Sequence, residues 1–122
     1  MLAIGVDLIS VNRIEKAIDR HGQRFLDRVF TPQERKHCAD NPHRLAARWA
    51  AKEAVAKALG TGIGDITWQE IEVHCNHRGQ PHIRLHGAAS RLAESQNIAE
   101  ISVSLSHDGG QAIAFVVGLR QN

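Results

Sequence analysis

The hydrophobic positions change their period along the chain, and each change predicts an element. Leu2 to Ile9 is largely apolar and bounded by Ser10, which reads as a short strand. From Ser10 the pattern turns helical: Val11, Ile14 and Ile18 recur at three- and four-residue steps, and His21-Gly22 offers a stop. Phe25, Leu26 and Val29 form the apolar side of a further helical turn or two. Thr31-Pro32-Gln33-Glu34 has the form of a capping box, with Pro32 at the first helical position. Asn41-Pro42 opens the longest helix, roughly Pro42 to Leu59, and Gly60 stands where a helix C′ glycine belongs. Gly60-Thr61-Gly62-Ile63-Gly64 is a loop.

The second half turns to strands. Ile71, Val73 and Cys75 alternate with Glu70, Glu72 and His74. Asn76 to Pro81 reads as a hairpin connection, and Ile83 and Leu85 continue on the return strand. Ala88 to Asn97 is a short helix. Ile101, Val103 and Leu105 alternate again, His107-Asp108-Gly109-Gly110 is a turn, and Ala112 to Leu119 is an apolar strand. A strand, then helices, then an antiparallel series segregates the elements, so the expected class is α+β. No repeat or linker-like stretch interrupts the chain, and residues 1–122 are expected to form a single domain.

Composition narrows the function. Leu, Ile, Val and Phe make up 31 of the 122 residues, enough for a folded core. No run of ~18 apolar residues is present, so no membrane span is expected. The apolar start lacks a basic lead and contains Asp7, unlike a signal peptide. Two cysteines, Cys38 and Cys75, are too few for a disulfide scaffold, which points to a reducing cytoplasm. Two Trp, three Phe and no Tyr argue against a surface that stacks single-stranded bases. The net charge of +2 conceals an asymmetry: residues 1–60 carry +4 and residues 61–122 carry −2. A basic first half suggests an acidic partner or a phosphorylated ligand.

Asp7 is the first candidate for chemistry. A carboxylate within Ile4-Gly5-Val6-Asp7-Leu8-Ile9 is costly unless paired, hydrogen-bonded or bound to metal; the plainer alternative is an Asp capping the helix that follows. Gly5, on the same strand face, permits a close approach to the backbone. The long helix holds the second signal. Glu53 and Lys57 are four apart, as in a surface ion pair of about 0.3–0.5 kcal/mol. Arg44, Arg48 and Lys52 follow at four-residue steps as a basic stripe, which would ordinarily be a solvated face. Trp49 lies in line with Glu53, however, and the Ala-rich helix permits close packing on its flanks. A glutamate and several cations at the margin of a packed helix suit a metal–phosphate site, since Mg²⁺ is usually held by one or two carboxylates plus phosphate oxygens. Ser106-His107-Asp108 ends an apolar strand; His107 there can donate to a phosphate or be a plain turn residue. His74, Cys75, His77, His82 and His86 crowd one hairpin, but their spacing is not that of a zinc finger.

Taken together these segments resemble the holo-[acyl-carrier-protein] synthases, the small type of phosphopantetheinyl transferase. The matching stretches are Ile4-Gly5-Val6-Asp7, Arg13-Ile14, Phe30-Thr31-Pro32-Gln33-Glu34, Arg48 to Ala54 with Lys57-Ala58, Gly60 to Gly64, Gly79-Gln80-Pro81 and Ser104 to Asp108. The run Trp49-Ala50-Ala51-Lys52-Glu53-Ala54 is the most specific. The resemblance implies a phosphopantetheinyl transferase-like fold. It implies transfer of the 4′-phosphopantetheine arm of coenzyme A to a serine of apo acyl carrier protein, releasing adenosine 3′,5′-bisphosphate, in fatty acid biosynthesis. By the same resemblance Asp7 and Glu53 bind Mg²⁺, with Mn²⁺ of similar ligand taste. Asp7, Glu53 and Lys57 are then the catalytic residues, and Arg48, Lys52, Lys57, Gly60 and His107 the coenzyme A contacts. It also implies a homotrimer with sites at subunit interfaces. The attacking serine needs a base, and either Glu53 itself or a metal-bound water near Asp7 can serve.

An acidic carrier protein would also account for the first helices. Arg13, Lys16 and Arg20 lie at three- and four-residue steps on one, Arg24 and Arg28 continue the charge, and Ile14 and Phe25 are candidate apolar contacts beside them. Glu15, Asp19 and Asp27 dilute that stripe and fit an ordinary helix face. The competing class, a small basic nucleic-acid-binding module, uses the same helix but leaves Asp7 and Glu53 unexplained; neither nucleic acid nor membrane is expected as a partner.

Overall fold

A computed structural model describes residues 1–121. The chain begins with strand β1 (Leu2–Ser10), followed by helices α1 (Val11–His21), α2 (Gln23–Val29), α3 (Pro32–Cys38) and α4 (Pro42–Ala58). A short 3-10 turn over Trp68–Glu70 leads into β2 (Ile71–Cys75) and β3 (Pro81–Leu85); α5 (Gly87–Ser95), β4 (Ile98–Asp108) and β5 (Gln111–Arg120) complete the order. The expected α+β segregation holds, and the 3-10 turn is the one described helical element that the apolar pattern did not signal.

The local signals act as anticipated. Thr31 Oγ1 accepts from Glu34 N at 3.2 Å while Glu34 Oε1 accepts from Thr31 N at 2.9 Å, closing the capping box of α3. Asn41 Oδ1 caps α4 by accepting from His43 N at 3.0 Å and Arg44 N at 3.4 Å. Gly60 follows the end of α4 with φ +75°, a conformation that costs a residue without Cβ least.

Two antiparallel sheets form, one ordered β1-β5-β4 and the other the β2-β3 hairpin. β5 lies in the middle of the first, pairing Asp7 opposite Ala114 on one side and His107 opposite Ala112 on the other. Helix α4 covers one face of this sheet. Its Ala46, Ala50, Ala51 and Ala54 are fully buried, and they meet Ala3, Ala112, Ala114 and Val116 across the core. Small residues on both surfaces bring helix and sheet close, and Gly5 is the limit of that approach. A Cβ on Gly5 would stand 1.9 Å from the carbonyl oxygen of Ala54. No side chain fits there, so Gly5 sets the depth at which α4 rests on β1.

Among the described residues nothing covers the other face of the same sheet. Leu2, Ile4, Val6 and Leu8 of β1, with Ile113, Phe115 and Leu119 of β5, are 38–57% exposed. Strand alternation therefore gives β1 two apolar faces, one against α4 and one uncovered. No helix among the described residues is long and apolar enough to cross a membrane.

Candidate active site

Asp7 enters the structure from β1 and Glu53 and Lys57 from α4, because Gly5 lets that helix lie directly on the strand. Lys57 Nζ donates to Asp7 Oδ1 at 3.0 Å and to the Val6 carbonyl at 3.0 Å. The anticipated Glu53–Lys57 pair along the helix is thus replaced by a tertiary pair. Asp7 keeps only 13% of its side chain exposed, and its Oδ2 is buried without a hydrogen-bond partner among the described residues. Glu53 is half-buried. Burial and the charge of Asp7 push its carboxyl above the usual glutamate value, against the opposing pull of Lys57 and Arg13. A glutamate raised by its aspartate neighbour, beside an aspartate with an orphaned oxygen, forms a site that a cation would complement.

A second cluster lies where the N-terminal half of α4 meets the end of β4. A cavity of about 280 Å³ is lined there by His43, Arg44, Arg48, Cys75 and His107, among others. Arg48 is 8% exposed, donates through Nη2 to Cys75 Sγ at 3.1 Å, and leaves its Nε buried without a partner among the described residues. A largely desolvated guanidinium lining a cavity beside Arg44 is suited to an anion. Sequence reasoning joined Arg48 to His107 only through the resemblance. It missed His43, although a histidine one position before Arg44 at the start of the helix could have drawn attention.

Lys52 is not a cavity residue. The basic stripe of Arg44, Arg48 and Lys52 does not exist as a solvated face: Arg44 is exposed, Arg48 is nearly covered, and Lys52 is 0% exposed. Lys52 Nζ donates to Glu34 Oε1 at 2.8 Å and to the carbonyls of Trp68 and Ile71 at 3.0 and 2.5 Å, which uses all three of its protons. Burial lowers its pKa while Glu34 opposes that shift. Expectation and structure therefore differ: Lys52 has no donor left for a coenzyme A phosphate, and its work is to join α3, α4 and β2. Gly60, the remaining expected contact, is exposed at the end of α4, and it does not line the Arg48–His107 cavity.

The basic helices divide similarly. Arg13, Arg20, Arg24 and Arg28 are exposed, and Arg13 sits over the Trp49 ring at 5.8 Å. Arg24, Phe25 and Arg28 share one hollow, with Phe25 edge-on to Phe30 at 6.0 Å. Ile14 is corrected: at 2% exposure it belongs to the core and presents no apolar contact to a partner. The helical period of α1 explains the difference, since Val11 and Ile14, three residues apart, turn inward together.

Residues 3–116 match the pattern of the 4′-phosphopantetheinyl transferase superfamily. The chain belongs to that superfamily. Within it, the chain is 54% identical to the holo-[acyl-carrier-protein] synthase of Herpetosiphon aurantiacus, an alignment covering 98% of this chain and 99% of the relative. It is 45% identical to the enzyme of the same name from Halothermothrix orenii, with 94% of each chain covered. Its fold is similar to the Helicobacter pylori holo-[acyl-carrier-protein] synthase solved in complex with coenzyme A. That similarity has a TM-score of 0.87 and 38% identity, over 95% of this chain and 99% of that one.

Proposed function

We propose that this chain is a holo-[acyl-carrier-protein] synthase that moves the 4′-phosphopantetheine arm of coenzyme A onto a serine of apo acyl carrier protein. The observation that carries the reading is the pair of Asp7 and Glu53, brought near each other by the Gly5 contact and, among the described residues, left with an unpartnered carboxylate oxygen. A hard divalent cation, Mg²⁺ or Mn²⁺, is the complement such a pair lacks; among the described residues no third carboxylate, His or Cys completes a closed protein cage. That chemistry suits a cation shared with phosphate oxygens and water. Asp7 and Glu53 would hold it, and when bound it neutralises charge on the coenzyme A diphosphate as the phosphoanhydride breaks.

The chain's own residues do the rest. Lys57, fixed to Asp7 Oδ1 and the Val6 carbonyl, brings a 53% exposed ammonium to the edge of the carboxylate pair, where it adds to stabilisation of the leaving phosphate. The serine oxygen attacks phosphorus, its proton passes to Glu53, and adenosine 3′,5′-bisphosphate departs. Arg48 and His107 bind the anionic end of coenzyme A in the 280 Å³ cavity. The exposed Arg13, Arg20, Arg24 and Arg28, with Phe25, receive the acidic carrier.

A homotrimer is part of the same proposal. The uncovered Leu2, Ile4, Val6, Leu8, Ile113, Phe115 and Leu119 supply an apolar surface that a second and third copy would bury. The carboxylate pair and the Arg48 cavity share no residue, which suits a coenzyme A site completed between subunits. Residues 1–122 act as one domain, in the cytoplasm, in fatty acid biosynthesis. Incubation with coenzyme A, Mg²⁺ and apo carrier protein tests the reading: the carrier gains the mass of one phosphopantetheine arm. An unchanged carrier mass with a folded protein and active reagents refutes it.

A further inference from the structure

The two thiols have opposite surroundings. Cys38 is 0% exposed, and burial above all pushes its pKa up to about 11, so it is inert in the folded protein. Cys75, at the end of β2, is half-buried and opens onto the Arg48 cavity on one side and onto a smaller hollow of about 110 Å³ beside His37 and His74 on the other. Its sulfur receives the Arg48 Nη2 donor at 3.1 Å, while the neighbouring Nε of the same guanidinium is buried and unclaimed among the described residues.

The cavity has a single sign. Arg44 and Arg48 line it and, among the described residues, no carboxylate does. It does not make a metal cage, because no three His, Cys, Asp or Glu side chains converge on a metal position among the described residues. What it offers is a thiol with a cationic hydrogen-bond donor, at the wall of a space that attracts anions.

We infer that Cys75 is a thiol–disulfide exchange site selective for anionic, low-molecular-mass disulfides, and that its mixed disulfide closes the cavity. The Cys75 thiolate attacks one sulfur of the small disulfide; its S–S bond breaks, a new Cys75 S–S bond forms, and the second half leaves as a thiolate. Cys75 is oxidised and the leaving sulfur is reduced, so no further oxidant is required. A free anionic thiol reverses the step. The anionic half left on Cys75 lies in the cavity against Arg44 and Arg48, where its carboxylate or phosphate meets their positive charge. The exchange stands on the cavity alone, whereas its effect on catalysis rests on the proposal that coenzyme A occupies this cavity.

The intact protein is treated with glutathione disulfide or with cystamine, its cationic counterpart, and the adduct is located by peptide mass mapping. The expected result is one adduct per chain, on Cys75, forming about tenfold faster with glutathione disulfide at low salt. The ratio should fall towards one in about 1 M salt, where screening acts over ~3 Å. Arg48→Met, which retains much of the side-chain bulk, should also lower the ratio; if that variant does not fold, the salt series decides alone. Equal rates for the two disulfides at low salt, or adduct on Cys38 of the folded protein, overturns the inference. Coenzyme A added before glutathione disulfide should slow the adduct. Charge-selective labelling that coenzyme A leaves unslowed upholds the Cys75 site and instead removes coenzyme A from this cavity.

Discussion

Helix α4 carries two lysine–carboxylate clusters on opposite sides, and they are built to opposite ends. On the inner side, Lys52 meets Glu34, and every acceptor and donor is used: Glu34 Oε1 takes Lys52 and Thr31 N, and Glu34 Oε2 takes Val73 N at 2.8 Å. On the outer side, Lys57 meets Asp7, Glu53 stands by without a hydrogen bond to either, and Asp7 Oδ2 has no partner among the described residues. Lys52 and Glu53 are neighbours in sequence. The same residue types become structure where their valences are filled and a candidate site where one is left open.

The sharpest way to break this comparison is to open the filled cluster. Removing one partner of a buried pair leaves an uncompensated charge, at a cost of about 3–5 kcal/mol. Glu34→Ala should therefore lower stability by that amount in urea denaturation. Lys52→Met, which removes the charge but leaves Glu34 buried and unpaired, should do likewise. If Lys52→Met instead retains wild-type stability while weakening coenzyme A affinity, the assignment of Lys52 to the interior is wrong.

The open cluster should respond the other way, in activity. Asp7→Asn and Glu53→Gln keep side-chain shape, and each should reduce kcat/KM by roughly 10²-fold, about 2.7 kcal/mol of transition-state stabilisation. Glu53→Gln relieves the repulsion from Asp7 and should leave stability unchanged or slightly higher, whereas Asp7→Asn also weakens the Lys57 pair and should leave it close to wild type. Metal titration sharpens the result: the wild type should bind Mg²⁺ in the presence of coenzyme A, and either variant should require much more. A folded variant with wild-type turnover at limiting Mg²⁺ excludes the two-carboxylate site.

How far each cluster could be read from the sequence follows from what fixes it. Strand and helix periods, the Thr31 capping box and the Asn41 cap are local, and the elements they mark are present. Asp7 and Glu53 could be singled out because a carboxylate in an apolar strand and a glutamate in an Ala-rich helix are exceptional in their own segments. Lys52 could not be separated from Arg44 and Arg48, because four-residue spacing is blind to the 3-10 turn and β2 that close over it. Glu34 was legible as a cap and illegible as the counter-ion of a lysine 18 residues away. Glu72 looked like the polar half of an alternating strand, yet it is 8% exposed, because Thr31 and His86 reach it from other elements. Ile14 was drawn to the surface by its neighbour Arg13, although its period with Val11 already placed it inside.

Beyond the clusters, the comparison extends to charges with no buried partner at all. Arg13 is exposed and rests on the Trp49 ring, so its charge is available to a partner. Arg13→Glu should raise the carrier KM about tenfold, near 1.4 kcal/mol, and leave coenzyme A affinity close to wild type. Raising salt should weaken the wild-type interaction in the same direction. Equal carrier KM values for the two proteins would remove Arg13 from the docking surface.

The smallest effect tests the filled side by acid. Burial pushes the Glu72 carboxyl up, but the hydrogen bonds from Thr31 Oγ1, at 2.6 Å, and His86 Nε2, at 3.1 Å, outweigh it, and its pKa ends below the ordinary glutamate value. A depressed carboxylate pKa contributes stability that is present above the unfolded value, near 4.3, and is lost as pH falls through the folded value. Glu72→Gln removes the charge but can still accept from Thr31, so it should cost about 1 kcal/mol at pH 7. That gap between wild type and variant should shrink on acidification below the ordinary glutamate value, because the wild type then becomes protonated at the same position. Urea midpoints of both proteins, measured at pH 7 and in steps down to the lowest pH at which both still fold, give the comparison. A gap that stays constant or widens on acidification would mean that Glu72 is held by packing, not by charge. The filled cluster would then end at Glu34 and Lys52.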